Sequence, residues 1–216
     1  MPSSAHSTAH LVDAAHALRS ARCATQRRVF ALRRDPHDQL IGVVDAGARR
    51  LYAALPLGLL VETLYEARST LTEIKVTEDR LREMSAGLVD ESLDRLCWLF
   101  GERLAREAGL APWLDRRARY RLLCWPDFGE IGSDGDGARL CTLLAQRPFA
   151  LAEMAASLKL PVPVVHGLIN SLALCGALAT DSARTPQSGG VATRRTIGNA
   201  EHHSLFERLL DRLTVR

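Results

Sequence analysis

Three arginines at alternate positions form the densest basic feature of the sequence. The segment 117–124, RARYRLLC, places Arg117, Arg119 and Arg121 between uncharged residues. Successive side chains of a β-strand point to opposite faces, so the three guanidinium groups would share one face. Guanidinium groups bind carboxylates and phosphates, which makes this face a candidate contact for an anion or a nucleic acid. A solvated strand face is the simpler interpretation.

The sequence contains none of the motifs that mark common catalytic or cofactor sites. It lacks the glycine-rich loops of nucleotide-binding proteins, the nucleophile elbow of hydrolases and the paired histidines of zinc proteases. Its five cysteines are far apart and include no Cys-x-x-Cys pair, which does not fit a zinc site. We therefore expect a protein that is not an enzyme, with no catalytic residues, no metal ligands and no cofactor.

Composition predicts a globular cytoplasmic protein. The 216 residues are 47% hydrophobic and carry a net charge of +3, which by itself does not indicate a nucleic-acid partner. Only two residues, Lys75 and Lys159, are lysines, and the abundance of arginine and alanine is typical of GC-rich bacterial coding. Scattered, unpaired cysteines favour a reducing compartment. The sequence shows no secretory signal pattern and no apolar run long enough for membrane insertion.

Hydrophobic patterning divides the first 126 residues into two parts. Residues 1–26 are predicted to be a mobile N-terminus with a short helix at 9–22. Residues 27–126 are predicted to form an α+β domain with a small antiparallel sheet. Its predicted strands are 28–34, 40–44, 50–54, 71–76 and 117–124, and its predicted helices are 57–67, 78–86 and 91–108. Thr77 and Asp90 are the predicted caps of the last two helices, and Gly109 is the predicted end of the third.

The remaining residues are predicted to form a mostly helical domain. Residues 127–137, DFGEIGSDGDG, have the composition of a flexible linker. Three helices are predicted after it, at 138–146, 151–158 and 162–178, with a tight corner at 159–161. The predicted fold class is therefore α+β, a small antiparallel sheet with helices followed by this helical domain at 138–216.

The second and third of these helices resemble a helix-turn-helix. Counted from Leu151, apolar residues occupy the positions at which two steeply crossing helices need them, and a small residue occupies the position of closest approach. These residues are Met154, Ala155, Leu158, Leu160, Val165 and Leu168. Lys159 stands where the family usually has glycine. The segment 174–178 resembles the exit of a winged helix into a strand, which implies a mobile wing near 179–197, followed by a predicted C-terminal helix at 202–213.

The third helix lacks the groups that normally read DNA. Recognition helices present Arg, Lys, Asn or Gln to base edges and basic groups to phosphates. The predicted outward positions contain no arginine or lysine, and they are Val162, Pro163, Val164, His166, Gly167 and Asn170. We therefore predict a bacterial regulatory or adaptor protein whose winged-helix-like domain binds a protein partner through Val162, Val164, His166 and Asn170. That partner could be a second copy of the chain.

Two other functions remain open from the sequence. The first is a DNA-binding transcriptional regulator that uses the arginines of the predicted wing, Arg184, Arg194 and Arg195. The second is a sensor of an anionic small molecule, held by Arg117, Arg119 and Arg121. The adaptor is preferred because phosphate contacts supply most non-specific DNA affinity, and the third helix offers almost none.

Overall fold

A computed structural model describes residues 13–20, 28–34, 38–65, 69–132 and 135–181. The fold class is α+β, as predicted. Helix α1, the first described element, covers residues 13–20 of the predicted N-terminal helix. The wing arginines Arg184, Arg194 and Arg195 and the predicted C-terminal helix at 202–213 lie outside the described residues.

A five-stranded antiparallel sheet forms the first half of the fold. Its strands are β1 Val29–Arg34, β2 Gln39–Asp45, β3 Arg50–Ala53, β4 Ser69–Ile74 and β5 Val89–Ser92. Their order is β4-β1-β2-β3-β5. The predicted meander β1-β2-β3 is confirmed, with Phe30 opposite Val44 and Val43 opposite Tyr52. The predicted fourth strand pairs along the whole length of β1.

Three helices accompany this sheet, α2 Leu57–Tyr65, α3 Glu78–Ser85 and α4 Leu93–Ala108. The predicted cap of α3 is confirmed, since the Thr77 hydroxyl accepts a hydrogen bond from the Arg80 N–H at 3.3 Å. The predicted cap of α4 by Asp90 is wrong, because Asp90 lies in β5 and its Oδ1 accepts from Arg50 Nε at 2.7 Å. Pairing with β3 thus delays the start of α4 until Leu93.

A second, three-stranded sheet has an unusual chain order. Its strands are β6 Arg119–Leu122, β7 Phe149–Ala150 and β8 Leu178–Asp181. The order is β7-β6-β8. The central strand, β6, therefore comes first in the sequence, and the two outer strands follow it. Tyr120 anchors β6 because its ring is fully buried and its hydroxyl donates to the Asp115 carbonyl at 2.6 Å.

Helices occupy much of the predicted linker at 127–137. The short helix α5, Phe128–Ile131, is capped by Asp127, whose carboxylate accepts from the N–H groups of Gly129 and Glu130. Helix α6 then begins at Gly135, three residues earlier than predicted, and ends at Gln146 as predicted. Most buried apolar side chains before and after this segment belong to one hydrophobic core, and both parts lie in one compact unit. The described residues therefore form one body, where the sequence predicted two domains.

The last two helices, α7 Leu151–Leu158 and α8 Val162–Leu174, are close to prediction. Helix α8 ends four residues earlier than predicted, and β8 follows it. Among the described residues, no single helix is long and apolar enough to cross a membrane. Together α7 and α8 meet the length and composition required, but they are bent by 115°.

Helices α4 and α8 approach each other so closely that their crossing requires a glycine. A Cβ atom on Gly101 would lie 2.5 Å from both the backbone nitrogen and the hydroxyl of Ser171. Ser171 is itself buried, and its hydroxyl donates to the Trp98 carbonyl at 2.7 Å. Contact at this distance allows the two helices to bury long apolar faces against each other.

Substitution of this glycine tests the crossing. Gly101→Ala is expected to lower the free energy of unfolding by about 1–3 kcal/mol, because the added methyl group must displace backbone atoms of α8. Urea denaturation measured by circular dichroism would show the change as an earlier midpoint.

Gly58→Ala is the matched control for that measurement. Gly58 is also helical, but a Cβ there would meet no atom within 4 Å. Its replacement should leave stability unchanged or raise it slightly, since alanine favours helices more than glycine does. Equal midpoints for Gly101→Ala and the unmodified protein would contradict the close crossing.

Candidate protein-interaction site at the start of helix α8

The corner between α7 and α8 is built around a lysine in an unusual backbone conformation. Lys159 has φ 57° and ψ 40°, in the left-handed region that costs a non-glycine residue about 1–2 kcal/mol. The Leu160 N–H donates to the Ala155 carbonyl at 3.1 Å and closes the corner. Lysine thus adopts the conformation that the glycine of a helix-turn-helix would adopt.

Four consecutive residues after this corner form an exposed apolar surface. We call Pro161–Val164 the apolar corner. All four residues are exposed, and Val162 and Val164 retain 48% and 42% of their accessible surface. The two prolines have no backbone N–H, so this helix start also offers fewer donors to water than most do.

A pocket of about 210 Å³ lies beside the apolar corner, where α8 faces α4 and α6. Its apolar wall comes from α8, and charged side chains of α4 and α6 complete it. The lining residues are Glu102, Arg106, Asp136, Pro163, Val164, Gly167 and Leu168. Gly167 brings α8 close to α4, since a Cβ on it would lie 3.5 Å from Glu102 Cα.

The two carboxylates at this pocket interact with residues outside its lining. Glu102 accepts a hydrogen bond from Trp98 Nε1 at 3.0 Å, and Asp136 forms an ion pair with Arg139 at 2.7 Å. Within the described residues, the guanidinium of Arg106 has no ion pair or hydrogen bond. The pocket therefore combines an apolar wall with the exposed guanidinium of Arg106, which a partner can reach.

The predicted outward position of Asn170 is wrong. Asn170 is fully buried between α8 and the loop after α4. Its Oδ1 accepts from the Ala111 N–H at 2.9 Å, and its Nδ2 donates to the Gly109 carbonyl at 2.9 Å. Gly167 is also buried. Both residues face α4, so Asn170 fastens a loop and is unavailable to a partner.

His166 is half-buried one turn into α8. Burial lowers the pKa of its imidazole, and the positive charge of Arg116 lowers the pKa further. Of the four predicted protein-binding residues, only Val162 and Val164 are therefore freely exposed.

The arginine segment does not form a converging anion site. Strand β6 begins at Arg119, so Arg117 precedes the strand. Arg119 binds Glu153 on α7 through two hydrogen bonds of 2.8 and 3.1 Å, and these bonds lower the pKa of that carboxylate. Arg117 and Arg121 are exposed, and their guanidinium groups have no partner among the described residues.

The sequence analysis missed the contribution of α4 to this site. Glu102 and Arg106 lie about 60 residues upstream of the apolar corner and show only the pattern of a solvated helix face. One signal was available, because the segment from Val165 to Leu174 contains no Asp, Glu, Lys or Arg and is mostly apolar. Such a helix is normally buried all round.

Comparison with known proteins finds one similarity, to an uncharacterised family. Residues 130–203 match the model of a family described as a protein of unknown function (DUF742). The match covers roughly a third of the chain and includes α6 to β8. No curated protein matches the chain, and no solved structure does.

The environment of His166 can be tested by titration. The pKa of His166 should lie below the ordinary value of 6.5, and Arg116→Ala should raise it because a nearby positive charge is removed. It should still remain below 6.5 because burial is the larger cause. The chemical shift of the imidazole Cε1 proton, followed by NMR against pH, measures this pKa.

Arg117→Ala is the control, since this neighbouring arginine does not contribute to the shift. Because the folded state resists protonation at His166, the free energy of unfolding should fall as the pH drops below 6.5. His166→Gln should remove that part of the pH dependence. A pKa at or above 6.5 in the unmodified protein would show that the imidazole is not buried as described.

Proposed function

We propose that this chain is a non-enzymatic regulatory or adaptor protein that binds a protein partner through the apolar corner and the adjacent pocket. The observation that carries the proposal is the exposure of Val162 and Val164 on a helix that is otherwise buried. Exposed apolar residues beside a pocket are typical of interaction sites. The 115° bend between α7 and α8 supports a winged-helix-like origin for this unit.

The size of the apolar corner limits what it can contribute. Burying the exposed parts of Val162 and Val164 would contribute about 1–2 kcal/mol each, at about 25 cal/mol per Å². A stable interface buries about 800 Å² on each partner. The corner is therefore proposed as the centre of a larger contact that includes the pocket and the charged residues Glu102 and Arg106.

The position of α4 argues against a role for α8 in reading DNA. A recognition helix must expose a long face to enter the major groove. Helix α4 covers most of α8, and the exposed first turn contains no arginine or lysine. A helix start can also bind phosphate through its backbone N–H groups, but Pro161 and Pro163 have none.

The two other functions proposed from the sequence remain predictions. The DNA-binding alternative depends on Arg184, Arg194 and Arg195, which lie outside the described residues. The anion-sensor alternative depends on Arg117, Arg119 and Arg121, of which Arg119 is engaged with Glu153.

Substitution within the apolar corner tests the proposed interface. Val164→Asp places a charge at the centre of the contact and is expected to reduce recovery of the partner at least about tenfold, since burying an unpaired charge is costly. Crosslinking in native cells, followed by purification and quantitative mass spectrometry, measures the recovery. Circular dichroism checks that the variant is folded.

Val89→Asp is the matched control, because Val89 is also an exposed valine, lies on β5 and is outside the proposed interface. It should leave recovery of the partner unchanged. If Val164→Asp and Val89→Asp recover the same proteins in the same amounts, the apolar corner is not an interaction site.

A DNA mobility-shift assay distinguishes the proposed adaptor from the alternative, a transcriptional regulator. The proposed adaptor should give no mobility shift with duplex DNA at low ionic strength. A shift that weakens steeply with added salt would instead indicate phosphate contacts by arginines, since counterion release makes such binding salt-dependent.

A further inference from the structure

Strand β8 has a free edge for hydrogen bonding. It pairs with β6 on one side, and no strand among the described residues pairs with its other side. The Leu123 N–H donates to the Ala177 carbonyl at 2.8 Å, and Ala179 lies opposite Arg121. Because bonding alternates along an antiparallel pair, the backbone N–H and C=O groups of Leu178 and Thr180 point away from β6.

A groove of about 310 Å³ runs along this free edge. Its residues come from α1, from the loops before and after β6, and from α8 and β8. The lining residues are Arg19, Trp113, Leu114, Leu123, Ala173, Leu178, Ala179 and Thr180. A groove beside unpaired backbone groups is the arrangement by which an extended peptide adds a strand to a sheet.

The side chain of Trp113 lines the same groove. Its Nε1 atom is buried and has no acceptor within the residues that the structure describes. The indole nitrogen only donates, and a buried donor without an acceptor costs about 1–3 kcal/mol. Because the nitrogen is covered, the indole ring gives this groove an apolar wall.

The two faces of β8 define which side chains such a peptide would carry. Leu178 and Thr180 lie opposite Leu122 and the buried Tyr120, so the neighbours of an added residue on this side would be apolar. Ala179 lies on the other face, directly opposite Arg121. A strand added to the free edge of β8 would lie about 10 Å from β6. Because the alanine side chain is small, the side chain of Arg121 can extend past it toward such a strand.

Positive charge flanks the groove at two points. Arg121 is exposed, and its guanidinium has no partner among the described residues. Arg19 lies over the Trp113 ring at 6.0 Å and has no ion pair in that part of the chain. Asp181 lies on the same face of the sheet as Arg121, two residues after Ala179. The position opposite Ala179 is therefore the one at which Arg121 can provide positive charge.

We propose that the β8 edge binds an extended segment of a partner protein with an apolar–acidic–apolar sequence. The acidic residue would lie opposite Ala179 and face Arg121. The two apolar residues would face the groove beside Trp113 and Leu178. This site is separate from the apolar corner, so either proposal can fail without the other.

Peptide binding followed by NMR tests the proposal on the full chain. The probe is a nine-residue peptide with valine–glutamate–valine at its centre and serine and threonine elsewhere. Its binding should slow hydrogen exchange of the Leu178 and Thr180 amides and leave Ala179, which is already bonded to β6, unchanged. A matched peptide with lysine in place of glutamate should bind more weakly.

Two arginine variants test the charge contact. Arg121→Ala should weaken binding of the glutamate peptide by about two- to fivefold, which is the contribution of an exposed ion pair, and should not weaken the lysine peptide. Arg82→Ala removes an exposed arginine from α3 and should change neither affinity.

Several results would overturn the proposal. The first is slow exchange at Leu178 and Thr180 in the protein alone, since the edge would then already be paired. The second is protection that appears with rising protein concentration and no peptide, which would identify a second copy as the occupant. The third is failure of the peptide to protect these amides, and the fourth is equal affinity for both peptides.

Discussion

The close crossing of α4 and α8 is the constraint on which the rest of the structure depends. Gly101 has no side chain, and Ser171 occupies the space that a side chain would fill. The buried hydroxyl of Ser171 and the buried amide of Asn170 then find acceptors and donors on α4 and on the loop that follows it. Both buried polar side chains thus have hydrogen-bond partners, which offsets the cost of removing them from water.

This crossing also determines which surfaces remain for other molecules. Helix α8 is buried from Val165 to Leu174 apart from the half-buried His166, so the apolar corner and its pocket are what α8 can offer. The groove beside β8 has a related origin, because β8 follows directly from the covered helix and pairs with a strand on one side only. Both candidate surfaces are therefore consequences of how α8 is packed.

Local features of this fold were predictable from the sequence, and long-range ones were not. The meander, the Thr77 cap and the starts of α7 and α8 depend on residues a few positions apart, and these predictions are confirmed. The burial of Asn170 depends on a loop about 60 residues upstream. Strand β5 was missed because Asp90 suits a helix cap as well as an ion pair with Arg50. The pocket was missed because half of its lining comes from other helices.

The central position of β6 has a consequence for how the chain can be divided. The region that matches a known family starts at residue 130, after β6 has ended. A fragment with those boundaries would lack the strand that joins β7 to β8, and it would also lack α4. Its two remaining strands would have no common neighbour, and the leucines and isoleucine of α8 would meet water. The boundaries of the matched region are therefore not those of an autonomous folding unit, and a recombinant fragment should start no later than the residues that build α4.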